Sequence, residues 1–335
     1  MQSKFIQTQS LKMHYQESGE GTPVIAIHGW PENSHEYSLV APYLGDGIRL
    51  LALDTRGHGK TEAPEDGYDR ATLAQDVVEF MDAHDIDKCP VIAHDWGGII
   101  AYKLALDHGE RIERLVMMDT ICTGWPLFSH YVYWFMDGDR AERFFAEYGK
   151  DFIHSIIGGR NTNLPQPPEC PIEFQAPGLT APQPWATDAH LEHYWQPYVS
   201  GDAARVTCEY YRNLEFHRVI PDPDAAHGER YEHLSHDQMG ELWRTQRMQT
   251  EYLDYAPEDR HKQYSGETLW IYCEEVLTVM DCEPNERGIP VGEPSFDAFS
   301  RHFPNLTARS ISGGHFFLES EPEVSARLLR DFLTW

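Results

Sequence analysis

The 335-residue sequence predicts an α/β protein with a mostly parallel central sheet, helices on both faces and an inserted helical cap. Three observations carry that expectation. Short apolar runs alternate with amphipathic stretches; the alternation stops at about Thr120 and resumes near Gly266; and one apolar run turns sharply into a helical stretch through Ala93-His94-Asp95-Trp96-Gly97-Gly98. Strand–helix alternation requires crossover connections, which cover both faces of a parallel sheet.

Taken in order, residues 4–9 and 12–17 read as an antiparallel entry hairpin. Apolar runs of strand length follow at 24–27, 48–53, 91–93, 115–118 and 269–272, with a further strand-like run at 307–311. Helical periodicity covers 39–44, 73–84, 99–108 and 323–332. Residues 1–120 and 266–335 form the core on this reading, and 121–265 form the cap. The cap is aromatic and rich in histidine, and its 161–184 stretch is thick with proline, which excludes a continuous helix or central strand there. A second irregular run, 277–294, is long for a connection in an α/β core.

Bulk composition narrows the class. A formal charge of −27 argues against nucleic acid or an anionic membrane as partner, since both would repel the chain. The six cysteines lack CxxC spacing, so neither a zinc site nor a disulfide framework is expected; Cys89 and Cys273 read as buried thiols. Residues 1–7 lack an apolar signal-like stretch and no run is long enough to span a bilayer, so the expected location is cytoplasmic. A homo-oligomer is compatible with the sequence.

The chemistry concentrates on Asp95. Small-x-acid-x-Gly between strand and helix lifts one side chain above the sheet, and here that side chain is a carboxylate. Serine attacking a saturated carbon would leave an ether that water does not cleave. A carboxylate attacking the same carbon leaves an ester, which water hydrolyses. Asp95 therefore points to substitution at an sp3 carbon bearing a leaving group. Upstream, His28-Gly29-Trp30-Pro31 ends an apolar strand with a tight turn. Near the C-terminus, Gly313-Gly314-His315-Phe316-Phe317 follows the 307–311 run. With eighteen histidines in the chain, position singles out His315, not identity. Asp119 closes the apolar run 115–118, and the C-terminal ends of parallel strands are where such a sheet carries its site.

These segments, with Asp54-Thr55-Arg56-Gly57-His58-Gly59, resemble the α/β-hydrolase group that contains epoxide hydrolases, haloalkane dehalogenases and fluoroacetate dehalogenases. The likeness covers the core well and the cap in patches. It implies the α/β-hydrolase fold, with Asp95 as the nucleophile on its elbow and the backbone amides of Trp30 and Trp96 as the oxyanion hole. It implies His315 as the general base that activates water. The acid orienting His315 is Asp119, as in fluoroacetate dehalogenases and a bacterial branch of epoxide hydrolases; Glu274 is held in reserve, because Val276 stands at the other usual station.

Within the group, fluoroacetate dehalogenases follow the nucleophile with two arginines, where this chain has Trp96 and Ile99, which cannot clamp a carboxylate. Haloalkane dehalogenases share the tryptophan at position 96 but pair it with an Asn or second Trp, and Trp30 occupies the Asn position. Epoxide hydrolases share both motifs and need an acid in the cap, since the epoxide oxygen leaves as an alkoxide; Cys208-Glu209-Tyr210-Tyr211-Arg212 resembles the segment that supplies it, with Tyr211 as the donor. A phenol, of ordinary pKa about 10, suits that task. The second donor stays open among His130, Tyr131 and Tyr133.

The expected protein is a cofactor-independent epoxide hydrolase, without a metal, that takes a small neutral apolar epoxide and water. His28, Pro31, Trp96, Trp125, His130 and Tyr133 are the expected substrate contacts. A haloacetate or haloalkane dehalogenase using the same aspartate is the first rival. A non-catalytic ligand-binding relative is the second.

Overall fold

The computed structural model describes residues 1–120, 140–160, 164, 182–213, 259, 261–274, 283–291 and 299–333. Its framework is an eight-stranded sheet. Strands β1 (Gln2–Gln7) and β2 (Lys12–Ser18) form the antiparallel entry hairpin, and β2 runs antiparallel to β4 (Gly47–Leu53). The remaining strands, β3 (Gly21–Ile27), β5 (Cys89–His94), β6 (Ile112–Met118), β7 (Thr268–Cys273) and β10 (Leu306–Ile311), extend the sheet in parallel, in the order β1-β2-β4-β3-β5-β6-β7-β10. Between β7 and β10, β8 (Glu283–Pro284) and β9 (Pro290–Val291) pair as a small separate hairpin inside the irregular 277–294 run.

The sequence pattern explains this layout. All six residues of β5 and all six of β7 are buried, as strands covered on both faces should be, which is why both are apolar but for His94 and Thr268 at their ends. β10 lies at the sheet edge and exposes Thr307, Arg309 and Ser310. Helices α1 (Arg70–Ala83) and α2 (Trp96–His108) pack on the sheet and on each other. Asp69 caps α1, its side chain accepting from the Thr72 N–H, which satisfies one of the amides a helix start leaves open.

One expected helix is corrected. Residues 39–44 make only the single 3-10 turn Ala41–Tyr43. Pro42 suits the start of a turn, and Gly45, at φ +78°, takes the chain out of helical geometry before a longer helix can build.

Between β6 and β7 the described residues form three helices: α3 (Arg140–Ile156), α4 (Asp188–Ser200) and α5 (Ala203–Arg212). Helix α3 packs on both α4 and α5, and Phe144, Phe145 and Phe152 carry its buried face. After β10 come the short α6 (Phe317–Ser320) and the closing α7 (Pro322–Leu333). Most of the proline-rich stretch 161–184 lies outside the described residues. Cys89, Cys208 and Cys273 are buried free thiols. Among the described residues no helix is long and apolar enough to cross a membrane.

Candidate active site

Four strand ends converge on one point. β5 ends at His94, and the chain enters α2 through Asp95 at φ +46°, ψ −115°, a backbone conformation that L residues rarely hold. Strain of this kind persists only where the surroundings impose it. Here the Asp95 N–H donates to the Met118 carbonyl at 2.9 Å, and Thr120 Oγ1 donates to the Asp95 carbonyl at 2.7 Å. The two glycines that follow give the turn its clearance: a Cβ on Gly97 would lie 2.2 Å from the Ile27 carbonyl oxygen, and one on Gly98 would lie 2.4 Å from Thr120 Cβ.

The carboxylate so presented has two different neighbours. Its Oδ1 accepts the Trp30 backbone N–H at 2.8 Å, from the turn that ends β3. Its Oδ2 lies 3.7 Å from His315 Nε2, on the loop after β10. On the far side of the ring, His315 Nδ1 donates to Asp119 Oδ2 at 2.5 Å. Asp119 sits just past β6 at φ +39°, and its Oδ1 accepts the Cys273 N–H at 3.0 Å. Burial would raise the Asp119 carboxyl, but the His315 hydrogen bond and charge outweigh it and hold the group below its ordinary value. Burial would likewise lower His315, and Asp119 reverses that, so the imidazole holds a proton more tightly than usual. The His315 ring meets Asp119, whereas Glu274 is exposed.

The walls are aromatic. Tyr211, on α5, packs edge-on against both Trp30 and Trp96, with ring centroids 5.4 and 5.2 Å away. Its neighbour Tyr210 is used differently, its hydroxyl donating to Thr55 Oγ1 and the Arg56 carbonyl, both at 3.0 Å. The Trp30 indole N–H donates to Thr207 Oγ1 at 3.0 Å, tying the turn after β3 to α5. Trp96 opens α2, so its amide belongs to the helix start that carries partial positive charge.

His28 lies in the turn after β3. It is buried, its Nδ1 donates to the Gly29 carbonyl at 2.7 Å, and its Nε2 accepts the Thr55 N–H at 3.1 Å. A ring committed at both nitrogens braces the turn. Pro31 is buried. Trp125, His130, Tyr131 and Tyr133 lie outside the described residues.

Sequence reasoning missed Thr120 and Thr207, and it also missed a buried acid cluster beside His94. Glu32, Glu36 and Glu319 are almost fully buried, and His94 Nδ1 lies 3.1 Å from Glu36 Oε1 and 3.6 Å from Glu32 Oε2. Glu319 Oε1 accepts both His190 Nε2 and the Tyr194 hydroxyl of α4 at 2.5 Å. The donor atoms of Glu32, Glu36 and His94 lie within 4.8 Å of one another, a spacing that could hold a metal ion, although both carboxylates already face the imidazole. The available signal was the i, i+4 pair Glu32/Glu36 immediately after the His28–Pro31 turn.

Comparison with known proteins agrees with this architecture. Residues 22–169 match the family model described as the alpha/beta hydrolase fold. A soluble epoxide hydrolase of Corynebacterium sp. (strain C12) is 41% identical over 110 residues, 33% of this chain and 38% of that protein. Epoxide hydrolase 2 of Caenorhabditis elegans is 30% identical over 118 residues, 34% of this chain and 33% of that protein. The chain thus matches well under half the length of these relatives. Among solved structures, the ligand-free epoxide hydrolase CorEH superposes with a TM-score of 0.69 at 19% identity, covering 99% of this chain and 98% of that one. An epoxide hydrolase from Vigna radiata gives 0.67 at 20% identity, covering 99% and 97%. The chain has the α/β-hydrolase fold. Over part of its length it is similar in sequence to epoxide hydrolases.

Proposed function

We propose that this chain is an epoxide hydrolase that works through an ester on Asp95 and needs no cofactor. The observation that supports it most is the double engagement of the Asp95 carboxylate, by the Trp30 amide on one oxygen and by the His315–Asp119 pair facing the other. An Asp95 oxygen attacks an epoxide carbon, the carbon–oxygen bond of the ring breaks, and the departing oxygen takes the Tyr211 phenolic proton. His315 Nε2 then removes a proton from water, whose oxygen adds to Asp95 Cγ. The resulting oxyanion is stabilised by the Trp30 and Trp96 amides. Collapse releases the diol, returns Asp95 to a carboxylate carrying the water oxygen, and leaves a proton on His315 to restore Tyr211. Trp30, Trp96 and Tyr211 favour a neutral, apolar substrate. A halide-releasing reaction would need donors turned toward the leaving atom, and the Trp30 indole is engaged by Thr207.

The test is a single turnover in heavy-oxygen water. Label should enter the peptide containing Asp95 and be absent from the first diol released; label in that diol would overturn the ester route. Intact mass of His315→Gln mixed separately with styrene oxide, bromoacetate and 1-bromobutane identifies the leaving group, and an adduct with bromoacetate but no epoxide would convert the assignment to a dehalogenase.

A further inference from the structure

His94, the residue before the nucleophile, touches three parts of the site at once. Its Nε2 donates to the His315 carbonyl at 3.0 Å, and the two rings lie 4.7 Å apart between centroids, tilted by 41°. Its Nδ1 faces Glu36 Oε1 and Glu32 Oε2. Glu36 in turn uses its other oxygen to accept the Gly29 N–H at 2.8 Å, in the turn that presents the Trp30 amide. One imidazole and one carboxylate therefore link the base loop, the elbow and the oxyanion turn, all with side chains that are almost completely buried. The mechanism above assigns no task to either.

Taking His315 as the general base, as proposed above, we propose that His94 is its positioning residue: it fixes the base loop through the His315 carbonyl, lies against the His315 ring, and is itself held by Glu36. A proton on His94 is favoured by its surroundings. Burial would expel it, but Glu36 and Glu32 outweigh burial and hold the imidazole well above its ordinary value. The groups that interact with it are Glu32 and Glu36 from the turn after β3, Glu319 from α6, Asp119 after β6 and His315 itself, while the adjoining Asp95 acts on His315. A buried cation against the base opposes a second proton on His315 and offsets part of what Asp119 adds. The site thus carries two opposed controls on one imidazole: Asp119 tightens its proton and His94 loosens it. Glu36 sets the strength of the second.

The experiment is a histidine-selective 15N NMR titration of the His315 ring in the wild type, His94→Gln and Glu36→Gln. His94→Gln keeps a donor for the His315 carbonyl but removes the charge. Glu36→Gln leaves His94 in place and removes the anion that keeps it protonated. The His315 midpoint is expected to rise by about half a pH unit or more in His94→Gln, and by less in Glu36→Gln, with both proteins melting cooperatively. A midpoint within about 0.2 unit of wild type in a folded variant overturns the proposal. Should His94→Gln fail to fold, the Glu36→Gln titration decides alone. No substrate enters the measurement, so its failure is distinguishable from a failure to turn over epoxide.

Discussion

The Trp30 indole N–H donates to Thr207 Oγ1 across 177 positions of sequence, and through it the turn whose Trp30 amide meets Asp95 is fastened to helix α5. The same hydroxyl meets Tyr198 of α4 at 3.2 Å, so three elements share one oxygen. Thr207→Val keeps the shape and removes that oxygen. We expect a loss of about 1 kcal/mol in a denaturant titration with unchanged slope. Turnover should fall as well, because the Trp30 backbone loses its fastening. An unchanged midpoint would mean that packing by Phe145, Phe152 and Tyr211 holds the indole without the hydroxyl.

Asp119 fixes both the orientation and the proton affinity of His315. On the proposed mechanism Asp119→Asn should slow ester hydrolysis by roughly 10^4-fold, the scale on which an orienting carboxylate acts in catalytic triads. Glu274→Gln should leave the rate unchanged. The pH profile gives a sharper check. As the proposed base, His315 would act only when unprotonated, and its raised value then places the acidic limb of hydrolysis above the ordinary histidine range. Removing the Asp119 charge lowers that value, so the residual activity of Asp119→Asn should extend to lower pH. A limb that stays in place would assign it to another group.

The elbow depends on the missing side chain of Gly97. A methyl there meets the Ile27 and His28 carbonyl oxygens at 2.2 and 2.7 Å, both of them backbone and unable to swing aside. Gly97→Ala should therefore force β3 and α2 apart, lowering stability by about 1–3 kcal/mol and displacing Asp95 from the Trp30 amide. Thermal melting and turnover measured on one preparation check both effects. Full activity at wild-type stability would show that the two elements can separate freely.

The legible part of this molecule was what neighbours in sequence determine. Asp95, Trp96 and Gly97 announce the elbow because a strand, a strained residue and a small residue must be consecutive to make one. Asp119 was readable from its place at the end of an apolar strand, and the parallel sheet brings that end beside His315. What the sequence could not display was pairing between distant segments. Thr207 looks like any polar helix residue until α5 is laid over Trp30. The bonds of His28 were equally invisible, because a histidine in this turn reads the same in sequence whatever its Nε2 accepts. Glu32, Glu36 and Glu319 resemble surface acids in composition, and only burial reveals otherwise.

That burial has a consequence for stability. Glu319 is pushed up to about 8, chiefly by burial, with the Glu36 charge adding to it, while Glu32 is likewise pushed up to about 8 by burial and the Glu319 charge. An unfolded glutamate titrates near 4.3. The folded chain therefore holds a proton at Glu319 that the unfolded chain has already lost through the window between those values. The contribution is complete below the unfolded value and is lost as pH climbs through the folded one. Glu319→Gln cannot ionise, yet its amide oxygen can still accept from His190 and Tyr194. The stability of the wild type relative to Glu319→Gln should thus decline steadily from about pH 5 to about pH 8, the wild type losing its advantage as the carboxyl ionises against Glu36. Denaturant midpoints of both proteins across that range measure it. A constant difference would show that the Glu319 carboxyl keeps one charge state throughout, and that His190 and Tyr194 bind it without the proton.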